Sequence, residues 1–159
     1  MFNNKKLQRM ALLFQPNVVG YASSFLTSCI AVEGYSEMYS RVMERTVLAP
    51  PSCLFLPIWI LLYTLMGIAA IRVFSLSEST NKRKGMIWNQ IQLFFNFSWS
   101  IVYFGLKMVI LSFANIVLLW LSIATTMYFY RKIDRVAFYL LLPYILWVSF
   151  ASYLNFLAI

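Results

Sequence analysis

From Met86 to Tyr130 the chain carries one charged residue, Lys107. A bilayer core about 30 Å thick is crossed by about 20 residues of helix, so this run is about twice as long as one crossing needs. Gly105 and Lys107 mark the turn that would fold it into a hairpin. The composition agrees with burial in lipid. The chain is 62% hydrophobic and 11% charged, against about 25% charged residues in a soluble domain. Backbone groups in hydrocarbon must be satisfied within the segment, so the run is read as helix.

With 159 residues the chain is one domain, Met1–Ile159. Five segments are apolar and long enough to span: Met10–Val32, Ser52–Phe74, Met86–Phe104, Val109–Tyr130 and Ala137–Ala158. The expected fold is an all-α integral membrane protein, a five-transmembrane-helix bundle. The basic residues lie almost wholly between the segments. Lys5, Lys6 and Arg9 precede the first, Arg72, Lys82, Arg83 and Lys84 follow the second, and Arg131, Lys132 and Arg135 follow the fourth. Arg41, Arg45 and Lys107 fall on the other side. This asymmetry puts the N-terminus inside and the C-terminus outside. It also accounts for the net charge of +8 without a nucleic-acid partner. No cleavable signal peptide is expected, because Gln15, Pro16 and Asn17 interrupt the first apolar run.

The long connection is Glu33–Pro50, where Glu37 and Arg41 stand four apart. A short amphipathic helix lying over the bundle is expected there. Cys29 and Cys53 bracket it, so a single disulfide is open but unsupported.

Several stripes could carry chemistry. Trp59 and Tyr63 are one helical turn apart and share a face. Asn89, Gln92, Asn96, Trp99 and Tyr103 follow at spacings of three and four, so all lie on one stripe. A polar stripe facing lipid is costly, so it must face the bundle or a cavity. Its amides serve either a polar ligand or neighbouring helices. Asn89 and Gln92 lean to the second role, Asn96 and Trp99 to the first. Tyr144, Trp147, Ala151 and Leu154 form a similar stripe, in which the small Ala151 leaves room for a flat ligand or another helix. Asn115 and Asn155 read as helix-to-helix bonds. Pro57 and Pro143 each release a carbonyl and bend their helices. Gly20, Ser24 and Ser28, with Ser23, Thr27 and Ala31, are small-residue stripes that serve packing within the monomer or a dimer seam. The chain has no His and no mid-span acid or Lys. A proton relay, a voltage sensor, a metal site and haem-iron ligation by His are therefore not expected.

Three motifs resemble the TspO/MBR family of tryptophan-rich sensory and translocator proteins. The second segment carries Pro50, Pro51, Pro57, Trp59, Leu62, Tyr63, Met66 and Gly67. The third carries Gln92, Leu93, Asn96, Trp99, Phe104 and Gly105. The fifth carries Leu141, Leu142, Pro143, Tyr144, Trp147, Phe150, Ala151, Leu154 and Asn155. The resemblance runs from about Tyr39 to the end. It implies a five-helix bundle, usually a homodimer, with a pocket capped by the first loop. The implied ligands are porphyrins such as protoporphyrin IX and haem, bound as ligand rather than as cofactor. By position the pocket would include Phe55, Ile58, Trp59, Asn96, Trp99, Ala114, Leu118, Trp147, Ala151 and Leu154. Some bacterial members are reported to promote light-dependent porphyrin breakdown, for which Trp59 and Trp147 would be the catalytic residues here. A third alternative is a structural partner of other membrane proteins. The chain departs from the family where the first loop lacks its Trp and Pro, and where Leu111 and Asn115 stand for a Trp and an Asp. The animal sterol motif is not expected after the fifth segment, so a sterol ligand has little support. Arg135, Phe138 and Leu140 fit only the looser reversed sterol pattern. A bacterial cell membrane is the expected location.

Overall fold

The computed structural model describes residues 2–30 and 52–159, with side chains from Lys5 and from Leu54 onward. The expected covering loop, 33–50, and the Cys53 side chain lie outside the described residues. Every described element is helical. In chain order they are α1 (Phe2–Ile30), α2 (Ser52–Phe74), α3 (Thr80–Ser100), α4 (Val109–Arg131), α5 (Arg135–Leu140) and α6 (Leu142–Leu157), with a π-helical turn (Ile101–Gly105) prolonging α3.

Each boundary has a local cause. Ser79 caps α3, its hydroxyl accepting from the Lys82 amide at 3.1 Å. Asp134 caps α5, accepting from the Val136 and Ala137 amides at 2.8 and 3.4 Å. Such caps satisfy amides that a helix start leaves without partners. Lys107 turns the long apolar run back on itself with φ 54°, a left-handed conformation that an L side chain adopts at a cost. The expected bend at Pro143 is a break. Leu141 separates α5 from α6, and Pro143 sits at the start of α6, where its missing N–H costs least.

Helices Leu54–Phe74, Val109–Arg131 and Arg135–Leu157 are long and apolar enough to cross a membrane. The remaining two long helices are more polar, and the reason is visible in α3. Its Asn89, Gln92, Asn96, Trp99 and Tyr103 are all buried, as the spacing predicts, so its polar face is spent inside the bundle.

The helices close into a ring in the order α1, α2, α5/α6, α4, α3. The α3–α4 hairpin is the most extensive contact. Glycines set the closest approaches. A Cβ on Gly67 would collide with the Leu13 carbonyl, and one on Gly20 with the Tyr63 ring. Helices α1 and α2 therefore pack nearly backbone to backbone. The small-residue stripe of α1 is used within the monomer. Pro16, Gly20, Ser23 and Thr27 face inward, whereas Ser24 and Ser28 are exposed. Ser23 donates to the Phe97 carbonyl at 2.7 Å, and Thr27 meets the Ser100 hydroxyl at 3.3 Å. Asn155–Ser112 (3.1 Å) ties α6 to α4, and Asn115–Ser98 (2.8 Å) ties α4 to α3. Both amides thus make the interhelical bonds expected of them.

Candidate functional site

The centre of the bundle is a cluster of rings around one amide. Helix α2 presents Phe55, Ile58, Trp59 and Tyr63, at spacings that place them on one face. Helix α6 presents Tyr144, Trp147, Ala151 and Leu154 by the same rule. Asn96 of α3 lies between them. Tyr63 donates to Asn96 Oδ1 at 2.8 Å, and Asn96 Nδ2 donates to the Tyr144 hydroxyl at 3.0 Å. Asn96 therefore engages both ends of its amide with protein and fixes three helices at one level. Trp59 lies against Tyr63 (centroids 5.1 Å apart) and meets Tyr144 edge-on at 6.4 Å.

Nearer the start of α2 the packing loosens. Helix α2 packs broadly on α5 but touches α6 only sparsely, so the two diverge towards the end where the chain enters α2. Across this divergence Phe55 and Trp147 meet edge to face at 5.9 Å. Phe55, Ile58, Trp59, Trp147 and Ala151 are half-buried, and Leu154 is buried. Trp99 of α3 belongs to the same buried cluster. It stacks on Tyr103 at 5.2 Å with an 11° interplanar angle and meets Phe104 edge-on. The π-helical turn contributes here. By adding a residue to the turn, it lets the adjacent Tyr103 and Phe104 both turn inward, at 5% and 9% exposure.

Two indole N–H groups in this region, Trp99 Nε1 and Trp147 Nε1, are buried and have no hydrogen-bond partner among the described residues. A buried donor of this kind suits a ligand that brings an acceptor. The cluster is otherwise aromatic and aliphatic. No group of three His, Cys, Asp or Glu that could hold a metal occurs among the described residues.

Two of the expected pocket residues do not join the cluster. Ala114 and Leu118 lie on the exposed face of α4, with Leu111 and Val117. The inward face of α4 is instead Ser112, Ile116, Leu119 and Ile123. The reason is helical phase: Ala114 and Leu118 share a face four residues apart, and the buried Ser112, Ile116, Leu119 and Ile123 define the opposite one. Sequence reasoning also missed the three-helix bridge at Asn96. Its signal was available in the hydroxyl-bearing Tyr63 and Tyr144, each on an apolar inward face. The second miss is Lys82. It is 5% exposed, and its ammonium donates to the Phe74 and Leu76 carbonyls at 2.8 Å each and to Glu78 at 2.6 Å. It closes the C-terminus of α2, where carbonyls lack partners.

A bundle with three membrane-length apolar helices, a polar stripe turned inward and a cluster of aromatic rings at its centre has the architecture of an integral membrane protein. The chain belongs to the TspO/MBR family, whose model matches residues 12–158. It is 36% identical over 155 residues to the tryptophan-rich protein TspO of Chlorobaculum tepidum, covering 96% of this chain and 95% of that one. It is 35% identical to the Archaeoglobus fulgidus protein of the same name, covering 94% of each. The translocator protein of Ovis aries is 29% identical over 134 residues, covering 82% of this chain and 77% of that one.

Proposed function

We propose that the chain is a multi-pass membrane protein that binds a porphyrin, or a similar flat amphipathic molecule, between α2, α3 and α6. In this reading all five long helical segments span, with the N-terminus inside. The binding serves sensing, sequestration or transport in a bacterial cell membrane. The observation that carries it is the divergence of α2 from α6, faced by half-buried Phe55, Trp59 and Trp147. A planar ring system fits between aromatic faces, and the indole N–H groups of Trp99 and Trp147 suit its carboxylates. The relatives' names, tryptophan-rich protein and translocator protein, agree with this class.

The test is a titration of the purified protein with protoporphyrin IX, read by tryptophan fluorescence. Saturable quenching at micromolar ligand is expected. Trp147→Ala, which removes a stacking face, and Ala151→Phe, which fills the space, each weaken it about tenfold. Absence of quenching at micromolar ligand overturns the reading.

A second reading is photochemical breakdown of the porphyrin by Trp59 and Trp147, which stand on the two facing walls. Porphyrin absorbance under light, with and without protein, separates it from simple binding. Equal decay rates reject it. The family resemblance also supports a homodimer, for which cross-linking in detergent is the direct measurement.

A further inference from the structure

We propose that one end of the bundle, where α1 and α3 begin and α4 ends, binds the phosphate headgroups of anionic phospholipids, with Arg83, Lys84, Arg131 and Arg135 as the main contacts. The placement of these residues follows from helix contacts. Leu13 packs on Gly67 and Gly20 on Tyr63, so α1 runs antiparallel to α2 and its first turns lie beside the end of α2. Gly85 sits against Tyr130 and Phe129, where a Cβ would be 3.0–3.2 Å from their side chains. That approach sets the first turn of α3, with Arg83 and Lys84, beside the end of α4, with Arg131 and Lys132. Arg135 opens α5 one short turn later.

The cations at this end divide into two groups. Arg72 and Lys82 are used inside the fold, on Asp134 at 2.7 Å and Glu78 at 2.6 Å. Those are the two carboxylates at this end among the described residues. Lys5, Lys6, Arg9, Arg83, Lys84, Arg131, Lys132 and Arg135 are exposed, and no acidic side chain offsets them. Nor are they needed to cap α4. The Phe129 carbonyl accepts from the Lys132 amide, and the Tyr130 carbonyl accepts from the Ile133 and Asp134 amides.

The surroundings favour a lipid headgroup over a soluble acidic partner. Tyr128 and Tyr139, 55% and 60% exposed, flank the cations. Amphipathic rings of this kind settle at headgroup level. The Lys132 ammonium lies 4.1 Å from the Tyr128 ring centroid, and Arg131 lies over Phe138 at 5.7 Å. Aromatic and basic groups at one depth match the phosphate layer of an anionic leaflet, which attracts basic clusters close to the membrane. The match does not depend on a ligand at the aromatic cluster.

The test uses the full chain in a non-ionic detergent, titrated with phosphatidylglycerol or phosphatidylcholine, with retained lipid counted by native mass spectrometry. Phosphatidylglycerol is expected to be retained several-fold more strongly, and the preference should shrink as salt is raised. The quadruple variant Arg83→Gln/Lys84→Gln/Arg131→Gln/Arg135→Gln should reduce the preference about tenfold or more. Lys107→Gln, at the opposite end, should leave it unchanged. If the quadruple variant does not fold, the double variant Arg83→Gln/Lys84→Gln, in an exposed first turn, should still lower the preference about threefold. Equal retention of the two lipids overturns the proposal, as does an equal loss with Lys107→Gln. Displacement of phosphatidylglycerol by millimolar inorganic phosphate also overturns it, because the site would then take phosphate free of lipid.

Discussion

Asn96 is a single amide shared by three helices, and its value depends on where it sits. Tyr63 donates to one end of it and Tyr144 accepts from the other. In Asn96→Ala both tyrosine hydroxyls lose their partner while remaining inside the bundle. Membrane hydrogen bonds are worth about 0.6 kcal/mol on average and up to about 1.7. The two together predict a loss of about 1–3 kcal/mol, measured as unfolding in detergent with increasing denaturant. Tyr63→Phe should remove only part of it, and the double variant should show coupling, since the two share one bond. Lys82 is the other residue whose role is set by surroundings. Lys82→Met keeps the aliphatic stem but leaves the Phe74 and Leu76 carbonyls without their donor. A loss of about 1–3 kcal/mol is expected, with faster hydrogen exchange at the end of α2. Neither role was legible from the residue alone. Spacing showed that Asn96 faces inward, but not which neighbours would be there. Lys82 reads in sequence as one more basic residue of a loop, because its partners are backbone carbonyls that no pattern announces.

At the scale of elements, periodicity was a good guide and carry-over by resemblance was a weaker one. The α3 stripe is buried along its whole length, because polar residues at spacings of three and four in an apolar segment have only one place to go. The expected bounds of α2 agree with the structure at both ends. Helix α3 begins six residues before the expected Met86, since its charged first turn stands beyond the apolar run and Ser79 caps it there. The exposed Ala114 and Leu118 rest on the resemblance and not on periodicity: the polar Ser112, Ser122 and Thr126 of α4 are buried and mark the face that turns inward. Close contacts between helices are more legible, because glycine leaves a trace. Gly67→Ala places a methyl against the backbone carbonyl of Leu13, which cannot swing aside as a side chain would. It should separate α1 from α2 and cost about 1–3 kcal/mol. Gly105→Ala meets nothing closer than 3.6 Å and should be near neutral. Unfolding temperatures of the two variants in one detergent provide the comparison, and equal effects would refute the close-packing argument.

For the molecule as a whole, the all-helical class was legible, since it needs only apolar segments of helical length. The ring order was not. Helix α1 neighbours both α2 and α3, and α4 lies between α3 and α6, so the arrangement depends on contacts between segments far apart in sequence. The Arg72–Asp134 pair is one of the few polar ties that close this ring, joining α2 to the α4–α5 corner at 2.7 Å. Asp134 also caps α5. Burial acts to raise its pKa, but the Arg72 hydrogen bond, the Val136 and Ala137 amides and the Arg72 charge together hold it below its ordinary value of 3.8. A carboxyl with a depressed folded pKa binds fewer protons in the folded state than in the unfolded state as the pH approaches 4. Its stabilising contribution is therefore fully present above the unfolded value and is lost as the pH falls from about 4 through the folded one. Because the Arg72 side chain is 44% exposed, the pair is worth at most about 1 kcal/mol, or about 2–4 °C in unfolding temperature. Asp134→Asn keeps a capping oxygen and removes the charge. It should unfold about 2–4 °C lower than the parent at pH 7. The difference should narrow as the pH is taken from 5 to 3, because protonation does to the parent what the substitution has already done. Measuring parent and variant side by side cancels the other carboxylates, which titrate in both. No gap at pH 7 would show that Asp134 acts through its cap alone, and a gap that stays constant or widens towards pH 3 would refute the role given to its charge.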